Sequence, residues 1–500
     1  QPSRYNPGMD VPLSSNAVAS LPNHPWLRDR FGLWIEGREQ VDGDTFPITS
    51  PYWNLKVAEV TAASAVQVAQ AIEVASNASR QMRAISRHER ASILRRAAAL
   101  LAENKELFAR VITAESSKPL RESLIETDRA FQTLSVSADE ALRLAGDVVP
   151  MDAAPNGKGY LGFTLREPLG VVAAITPFNF PLNLSLHKIG PALAAGNAVV
   201  HKPSSATPLT ALLLARLLHE AGLPAGALNT VPGSGSEVGK VLSSHPSVAM
   251  ITFTGSPEVG MALRQQAGAK RVTLELGSNS AVVVMPDVVI DDTARRCVAG
   301  AYAHSGQVCI SVQRIYVHRD VFPNFLEHFT ASAAALKTGA PEDPATELSC
   351  VINPMEARRI VEWVEEAKGM GARLETGGWA DGARVAATVV THVPEDAKAI
   401  RCEAFGPVAC VNPVDSLDDA IAAVNRSDFG LQAGIFTNHA PSAWCAAQEI
   451  HTGAVLINET PQFRADHMPY GGVKQSGVGR EGPHYAIEEM TEPKLIVWRL

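Results

Sequence analysis

Two short runs, "GVVAAIT" (170–176) and "NAVVHK" (197–202), decide the fold. Each is a string of β-branched and small apolar residues that reads as a strand buried on both faces. "LNTV", "MITF" and "RVTLEL" continue the series to residue 276, with helical segments such as "ATPLTALLLARLLHEAGL" and "SPEVGMALRQQA" between them. Strands alternating with helices predict the βαβ rhythm of an open parallel sheet. A second series, "AVVVM", "RIYVH", "VACVNP", "AGIFT" and "AVLIN", predicts another α/β unit. Two such units in one chain imply a cleft between them, the usual place for a small molecule to bind.

Outward from this centre, residues 1 to 60 are rich in Pro, Asn and Gly, with a hairpin expected around "FGLWIEGREQVDGDTFPITSP" (31–51). Ser86 with Glu89 reads as a capping box opening a helix whose apolar residues include Ile93, Ala97, Leu100, Leu101, Phe108 and Val111. A further helix runs through "ESLIETDRAFQTLSVSADEALRLA" (122–145) and sets Arg129 beside a half-apolar face. By itself that arginine reads as a side chain snorkelling from the stripe's edge. "GDVVPMDAAPNGKGYLGFTLRE" and the terminal "EPKLIVWRL" read as peripheral strands that pair with each other or with a neighbouring subunit.

An apolar content of 46% with 19% charge gives ample material for large cores. The net charge of −8 carries no polycationic footprint for nucleic acid or anionic membrane. The six cysteines, Cys297, Cys309, Cys350, Cys402, Cys410 and Cys445, form no CxxC pair and no zinc spacing, so neither a disulfide framework nor a metal site is expected. Apolar runs such as "TALLLARLL" are cut by charge too early to span a membrane, and the start "QPSRYNPGMD" lacks a signal-peptide core. A reduced, cytoplasmic setting is the expectation.

Several positions suit chemistry. "GSGSEVG" (233–239) follows a strand and opens a helix, as a phosphate cradle does, although its glycine spacing is one residue longer than the usual fingerprint and equally fits plain turn glycines. Lys202 ends a strand, and "FTGS" (253–256) is a second strand-to-helix turn with free backbone N–H groups. Glu275 closes an apolar strand, where an unpaired carboxylate is costly and a salt-bridged one is the alternative. Asn179 sits in a loop stiffened by Pro177 and Pro181. Cys309 lies in "SGQVCIS" (305–311); most cysteines are simply small buried hydrophobes. Glu403 in "CEAFGP" and Arg464 in "FRADHMPYGGVKQSG" stand next to turn formers, and each alone reads as a surface charge.

In this order, "PFNFP", "HKPS", "FTGS", "LELG", "GQVC", "EAFGP" and "MPYGGVKQSG" resemble the aldehyde dehydrogenase superfamily, and the likeness runs from about residue 30 to residue 500. The resemblance implies a cofactor-binding domain from 27–143, 166–275 and 467–483, a catalytic domain at 276–466, and a small β oligomerisation element from 144–165 and 484–500. It implies Cys309 as nucleophile, on a loop shaped by Gly306 and Gln307, attacking an aldehyde carbon as the thiolate. Asn179 and the Cys309 backbone N–H would hold the oxyanion, worth on the order of 3 kcal/mol in comparable sites. After oxidation by a nicotinamide cofactor a thioester remains, and Glu275 would activate the water that hydrolyses it. Relatives that pass the thioester to coenzyme A lack this glutamate, so a free acid is implied.

By the same resemblance Glu403 binds the nicotinamide ribose with Phe405 beside it, and Lys202 binds the adenosine ribose. Thr176, Pro177, Phe178, Ser204, Gly235, Gly239, Phe253, Thr254, Gly255, Ser256, Val259, Leu276 and Gly277 complete the implied cofactor site. Many relatives have glycine where this chain has Ser278. NAD-preferring relatives often carry a glutamate at the place of Ser205; its absence here implies NADP as preferred cofactor and NAD as second. Arg129 and Arg464 match positions where relatives clamp anionic aldehydes, while Val308 replaces the arginine of phosphate-specific ones. Succinic semialdehyde is therefore the first substrate expected. Glyceraldehyde 3-phosphate, lactaldehyde and sulfonated or phosphonated aldehydes are the alternatives, and the expected assembly is a homodimer or homotetramer. A catalytically silent binding protein of the same fold would lack a nucleophile, base or oxyanion donor.

Overall fold

The computed structural model describes residues 21–500, so the "QPSRYNPGMD" start lies outside the described residues. The first series of apolar runs forms five parallel strands in the spatial order Arg271–Glu275, Val248–Thr254, Val171–Ile175, Ala198–Lys202, Leu228–Thr230. The chain enters at Val171–Ile175, builds outward to one side and then returns to build on the other. Strand order therefore reverses beside Val171–Ile175, and in open α/β sheets ligands bind at the carboxyl ends of strands at such a point. Gly477–Val478 closes one edge antiparallel to Arg271–Glu275; on the other side Leu33–Ile35 adds antiparallel to Leu228–Thr230 and Arg38–Gln40 forms the edge.

The expected hairpin is two. Leu33–Ile35 pairs with Arg38–Gln40 across Glu36 and Gly37, both at positive φ (55° and 73°), as a tight two-residue hairpin turn requires. Thr45–Thr49 then pairs antiparallel with Lys56–Thr61. Ser86 caps Arg87–Glu103 by accepting from the Glu89 N–H, while the reciprocal capping box occurs at Ser64 and Gln67 on the helix Ala65–Ala84.

The helix Asn183–Ala195 fills the space behind the first sheet and is buried along its whole length. It packs on Leu120–Arg143, whose inner face joins the largest apolar cluster. Each aliphatic side chain withdrawn there contributes about 1.5–3 kcal/mol. The second series forms a seven-stranded sheet ordered Arg373–Thr376, Thr388–Thr391, Val408–Val414, Arg314–His318, Ala281–Val284, Gln432–Phe436, Ala454–Ile457, parallel except for its first strand. A third sheet pairs Thr491–Arg499 antiparallel with Tyr160–Pro168 and adds Val148–Val149. Among the described residues no helix is long and apolar enough to cross a membrane, and no His/Cys/Asp/Glu cluster suits a metal.

Candidate active site

Because the five central strands run parallel, their carboxyl ends deliver Thr176, Lys202, Gly233, Gly255 and Leu276 to one edge of the sheet. Asn179 follows the first of them. Its Nδ2 donates to the Gln307 carbonyl at 2.8 Å, and its Oδ1 accepts from the Phe180 N–H. One amide hydrogen thus anchors Asn179 to the loop two residues before Cys309, and the second is left for another acceptor.

The Cys309 loop is built against conformational preference. His304, Ser305 and Gly306 are consecutive left-handed residues (φ 47°, 54° and 72°). Left-handed non-glycine residues cost about 1–2 kcal/mol each and persist only where surroundings fix them. Here Glu122 accepts from the His304 N–H at 2.7 Å, and Gln307 Oε1 accepts from the Ile352 N–H at 2.8 Å. A Cβ on Gly306 would overlap the Gly406 carbonyl, so only glycine fits.

Cys309 is partly buried, and its Sγ lies 2.8 Å from the Tyr470 hydroxyl. Burial pushes its thiol up to about 12; the Tyr470 hydrogen bond and the Arg464 charge oppose that rise, while Glu403 and Glu275 add to it. Arg464 is buried with its guanidinium 3.7 Å from the Tyr470 ring centre, and its Nη2 donates to Glu481 at 3.1 Å. Lys188, inside the buried helix, donates to the other Glu481 oxygen at 2.6 Å. Glu275 differs from all these charges: it is 2% exposed and neither carboxylate oxygen has a hydrogen-bond partner. Burial, then the negative charge of Glu481, pushes its pKa well above the ordinary carboxylate range. The salt-bridged alternative does not describe Glu275.

Cys309 opens on a cavity of about 890 Å³ whose lining includes Arg129, Phe180, Tyr302, Val308, Phe463 and Arg464. Both expected arginines line it, but neither is a bare cation. Arg129 forms a two-point ion pair with Asp466, which also accepts from Asn183 and pairs with His187. Arg464 is held by Glu481. The physical reason is that a guanidinium so near a core needs a carboxylate partner in the absence of another anion.

The strand-end loops suit a dinucleotide. Lys202 Nζ is buried with one protein partner, the Pro203 carbonyl, and burial lowers its pKa to about 8. A buried ammonium so poorly partnered suits a ribose hydroxyl or phosphate. Gly235 begins the helix Gly235–Ser244 behind its Ser234 cap, and nothing lies within 4 Å of a Cβ added at Gly235 or Gly239. Ser256 caps the helix Pro257–Gln266 by accepting from the Val259 N–H; the Thr254 hydroxyl is buried without a partner; Phe253 packs under Gly255. Glu403 accepts from the Ser278 N–H at 3.0 Å, with Gly277 directly against its carboxylate. Burial pushes Glu403 up to about 7 despite that bond. Phe405 meets Phe178 edge to face at 5.8 Å, and Leu276 is fixed by the Ser476 carbonyl. Ser204 accepts from the Ala206 N–H. Ser205 departs from expectation: its hydroxyl donates to the Gly233 carbonyl at 2.8 Å, so a 2′-phosphate would compete for that proton.

The sequence profile of the aldehyde dehydrogenase family matches residues 34–496. The chain belongs to the aldehyde dehydrogenase family. It is 45% identical over 471 residues to a 3-sulfolactaldehyde dehydrogenase of Priestia megaterium, covering 94% of this chain and 98% of the relative. Aldehyde dehydrogenase 21 of Physcomitrella patens, solved with its reaction product succinate, superposes with a TM-score of 0.92 at 36% identity, covering 95% of this chain and 99% of that one. The NADP-dependent glyceraldehyde-3-phosphate dehydrogenase of Bacillus halodurans, solved with NADP, gives a TM-score of 0.92 at 33% identity, covering 95% and 100%.

For this aldehyde dehydrogenase, sequence reasoning missed Tyr470, Glu481, Lys188 and Asp466. Tyr470 and Asp466 sat inside quoted motifs with no role attached. Lys188 had a signal, since a lysine in the apolar run "LSLHKIGPALAAG" needs a buried carboxylate, but its partner Glu481 is distant in sequence and only the fold reveals it.

Proposed function

We propose that this aldehyde dehydrogenase oxidises a small anionic aldehyde to the free acid, with 3-sulfolactaldehyde as first substrate and NADP as preferred electron acceptor. The observation that carries the reading is that Cys309 shares one cavity with Arg129 and Arg464. Their charge, though offset by Asp466 and Glu481, favours an anionic tail over a neutral one, and their planar forks match a sulfonate or carboxylate. The 45% identity to the sulfolactaldehyde enzyme supports the first substrate, and the NADP-bound neighbour supports the cofactor.

In this reading Cys309 adds to the carbonyl carbon as thiolate, and the free Asn179 amide hydrogen and the Cys309 N–H hold the resulting oxyanion. When bound, the nicotinamide dinucleotide would supply the acceptor for the hydride, hydrogen and electron pair together, that leaves this carbon and so converts it to a thioester. Lys202 and Glu403 would hold its two riboses. Glu275, as carboxylate, then takes a proton from water while the water oxygen bonds to the thioester carbon. The carbon–sulfur bond breaks, Cys309 leaves as thiolate, and the acid departs.

Succinic semialdehyde is the second reading, favoured by the neighbour that holds succinate. We place the oligomerisation element on 144–165 and 484–500. Exposed Leu161, Leu165 and Trp498 on one face of its paired strands, and Leu495 and Val497 on the other, support a homo-oligomer there, because exposed apolar side chains grouped in this way are normally covered.

Initial rates with 3-sulfolactaldehyde, succinic semialdehyde and propanal, each with NADP and NAD, test the proposal. Preference for either anion over propanal supports the cavity assignment, and the order of the two anions decides the substrate. Propanal oxidised as well as both anions would leave only general aldehyde oxidation. Unchanged activity in Cys309→Ser would remove the enzyme mechanism as drawn.

A further inference from the structure

The Tyr470 hydroxyl lies 2.8 Å from the reacting sulfur, within hydrogen-bond distance. The position of Tyr470 is fixed from three sides. Its backbone forms a bridge with Glu481, with Tyr470 N donating to Glu481 O at 3.1 Å and Glu481 N donating to Tyr470 O at 2.7 Å. Its ring carries the Arg464 guanidinium at 3.7 Å, and Arg464 is itself tied to the Glu481 carboxylate. Tyr470 is 3% exposed and packs with Val308 and Ile310, the two neighbours of Cys309 in the chain. So rigid a hydroxyl has one partner of chemical interest, the sulfur.

We propose that Tyr470 is a catalytic residue whose hydroxyl donates to Cys309 Sγ and stabilises the thiolate, with Arg464 seated on its ring to keep that hydroxyl a donor. The proposal rests on the reading of Cys309 as nucleophile. A hydrogen bond to an ionised acceptor is shorter and about twice as strong as one to a neutral acceptor, so this contact favours thiolate over thiol. The cation over the ring favours electron density leaving the oxygen and makes the O–H a better donor. The arrangement answers a need of this site. Cys309 faces Glu403 and Glu275 as well as Tyr470 and Arg464, and burial together with those two carboxylates opposes ionisation. Among the described residues, Tyr470 is the one hydroxyl hydrogen-bonded to the sulfur that offsets them. It also gives Arg464 a role at the nucleophile besides any role in binding the substrate.

The effect has a sign in both directions. Losing a charge-assisted bond raises the thiol's midpoint by about one pH unit, cutting the thiolate fraction at neutral pH about tenfold. A more basic thiolate is a better nucleophile, with a Brønsted slope of about 0.4–0.5, which returns about threefold. Tyr470→Phe keeps the ring under Arg464 and removes only the hydroxyl. Alkylation of Cys309 by iodoacetamide should therefore be about threefold slower in Tyr470→Phe than in wild type, by the same factor at every pH well below the thiol's midpoint.

The experiment uses the full chain without aldehyde or cofactor, follows the Cys309 peptide by mass spectrometry from about pH 6 to about pH 10, and needs no turnover. Failure of the substrate assignment therefore leaves its outcome unaffected. Arg464→Met, which removes the cation and keeps the bulk, should slow alkylation in the same direction, and it decides the matter if Tyr470→Phe melts far below wild type. A Tyr470→Phe rate equal to or faster than wild type at neutral pH overturns the proposal. So does an unchanged rate in a folded Arg464→Met when Tyr470→Phe does not fold.

Discussion

Arg129 and Asp466 hold each other through two hydrogen bonds, Nε to Oδ2 at 3.2 Å and Nη2 to Oδ1 at 2.9 Å, and so tie the helix Leu120–Arg143 to the loop carrying Arg464. Burial works against the Asp466 carboxylate, but the His187 and Arg129 bonds and charges outweigh it and hold its pKa far below the usual range. Asp466 therefore stays ionised in Arg129→Met, now held only by His187 and Asn183 and with its charge facing the cavity without a guanidinium partner. KM for an anionic aldehyde should rise tenfold or more, the rate with propanal should change little, and stability should fall by about 1–2 kcal/mol for a partly buried pair. Steady-state kinetics with both aldehydes check this; an unchanged ratio between them would remove Arg129 from substrate recognition.

Glu275→Gln preserves shape and removes the proposed base. Because burial and the Glu481 charge favour the protonated form of Glu275, the isosteric amide should leave the melting temperature nearly unchanged. Rapid mixing should show about one equivalent of reduced cofactor per site followed by a steady rate at least about a hundredfold below wild type. The wild-type steady rate should climb with pH, since the base works only when ionised and its pKa is raised; the variant should lose that dependence. A variant turning over within threefold of wild type would assign water activation to another group.

The sheet was legible because its strands are buried on both faces: uninterrupted apolar runs such as "GVVAAIT" have few other uses in a globular chain. The carboxyl-end residues followed from the same reading, as parallel strands leave their functional groups on one edge. What sequence left hidden is pairing. Arg129 could be numbered as a cavity residue, but its Asp466 partner lies on another element, and local spacing carries no information about which charge meets which. The Ser205 hydroxyl illustrates the same limit, since its bond to the Gly233 carbonyl depends on the register between strands Ala198–Lys202 and Leu228–Thr230. Motif likeness singled out Cys309 and Glu275 as candidates, whereas the contact of Tyr470 with the sulfur required coordinates.

Glu403 links the proposed cofactor site to stability. Burial raises its pKa to about 7, above the unfolded value of about 4.3, so the folded state holds a proton that the unfolded state releases. The stabilisation from its neutral form is complete below the unfolded value and is lost as pH rises through about 7. Glu122, also pushed up to about 7 by burial, acts in the same direction, while Asp466 acts oppositely at low pH. In Glu403→Gln, stability should fall less steeply between about pH 5 and about pH 7, by at most about 1.4 kcal/mol per pH unit. Denaturant titrations of the cofactor-free protein at several pH values measure that slope. An identical slope in the two proteins would mean that Glu403 is already ionised when folded.

Gly306 joins the Cys309 loop to the segment bearing Glu403 and Phe405. Its φ of 72° disfavours any side chain, and a Cβ there would run into the Gly406 carbonyl and the Pro407 nitrogen, both backbone atoms that cannot swing aside. Gly306→Ala must therefore move one loop relative to the other. The strain should cost about 2–4 kcal/mol, and displacement of Cys309 by a fraction of an ångström should cut kcat/KM about a hundredfold or more. Calorimetry and initial rates on the same sample separate the two effects. If stability drops while kcat/KM holds, the strain is absorbed on the 403–407 side and the Cys309 loop is set by Glu122, Gln307 and Asn179 alone. If both fall together, the close approach at Gly306 is what fixes the sulfur's position.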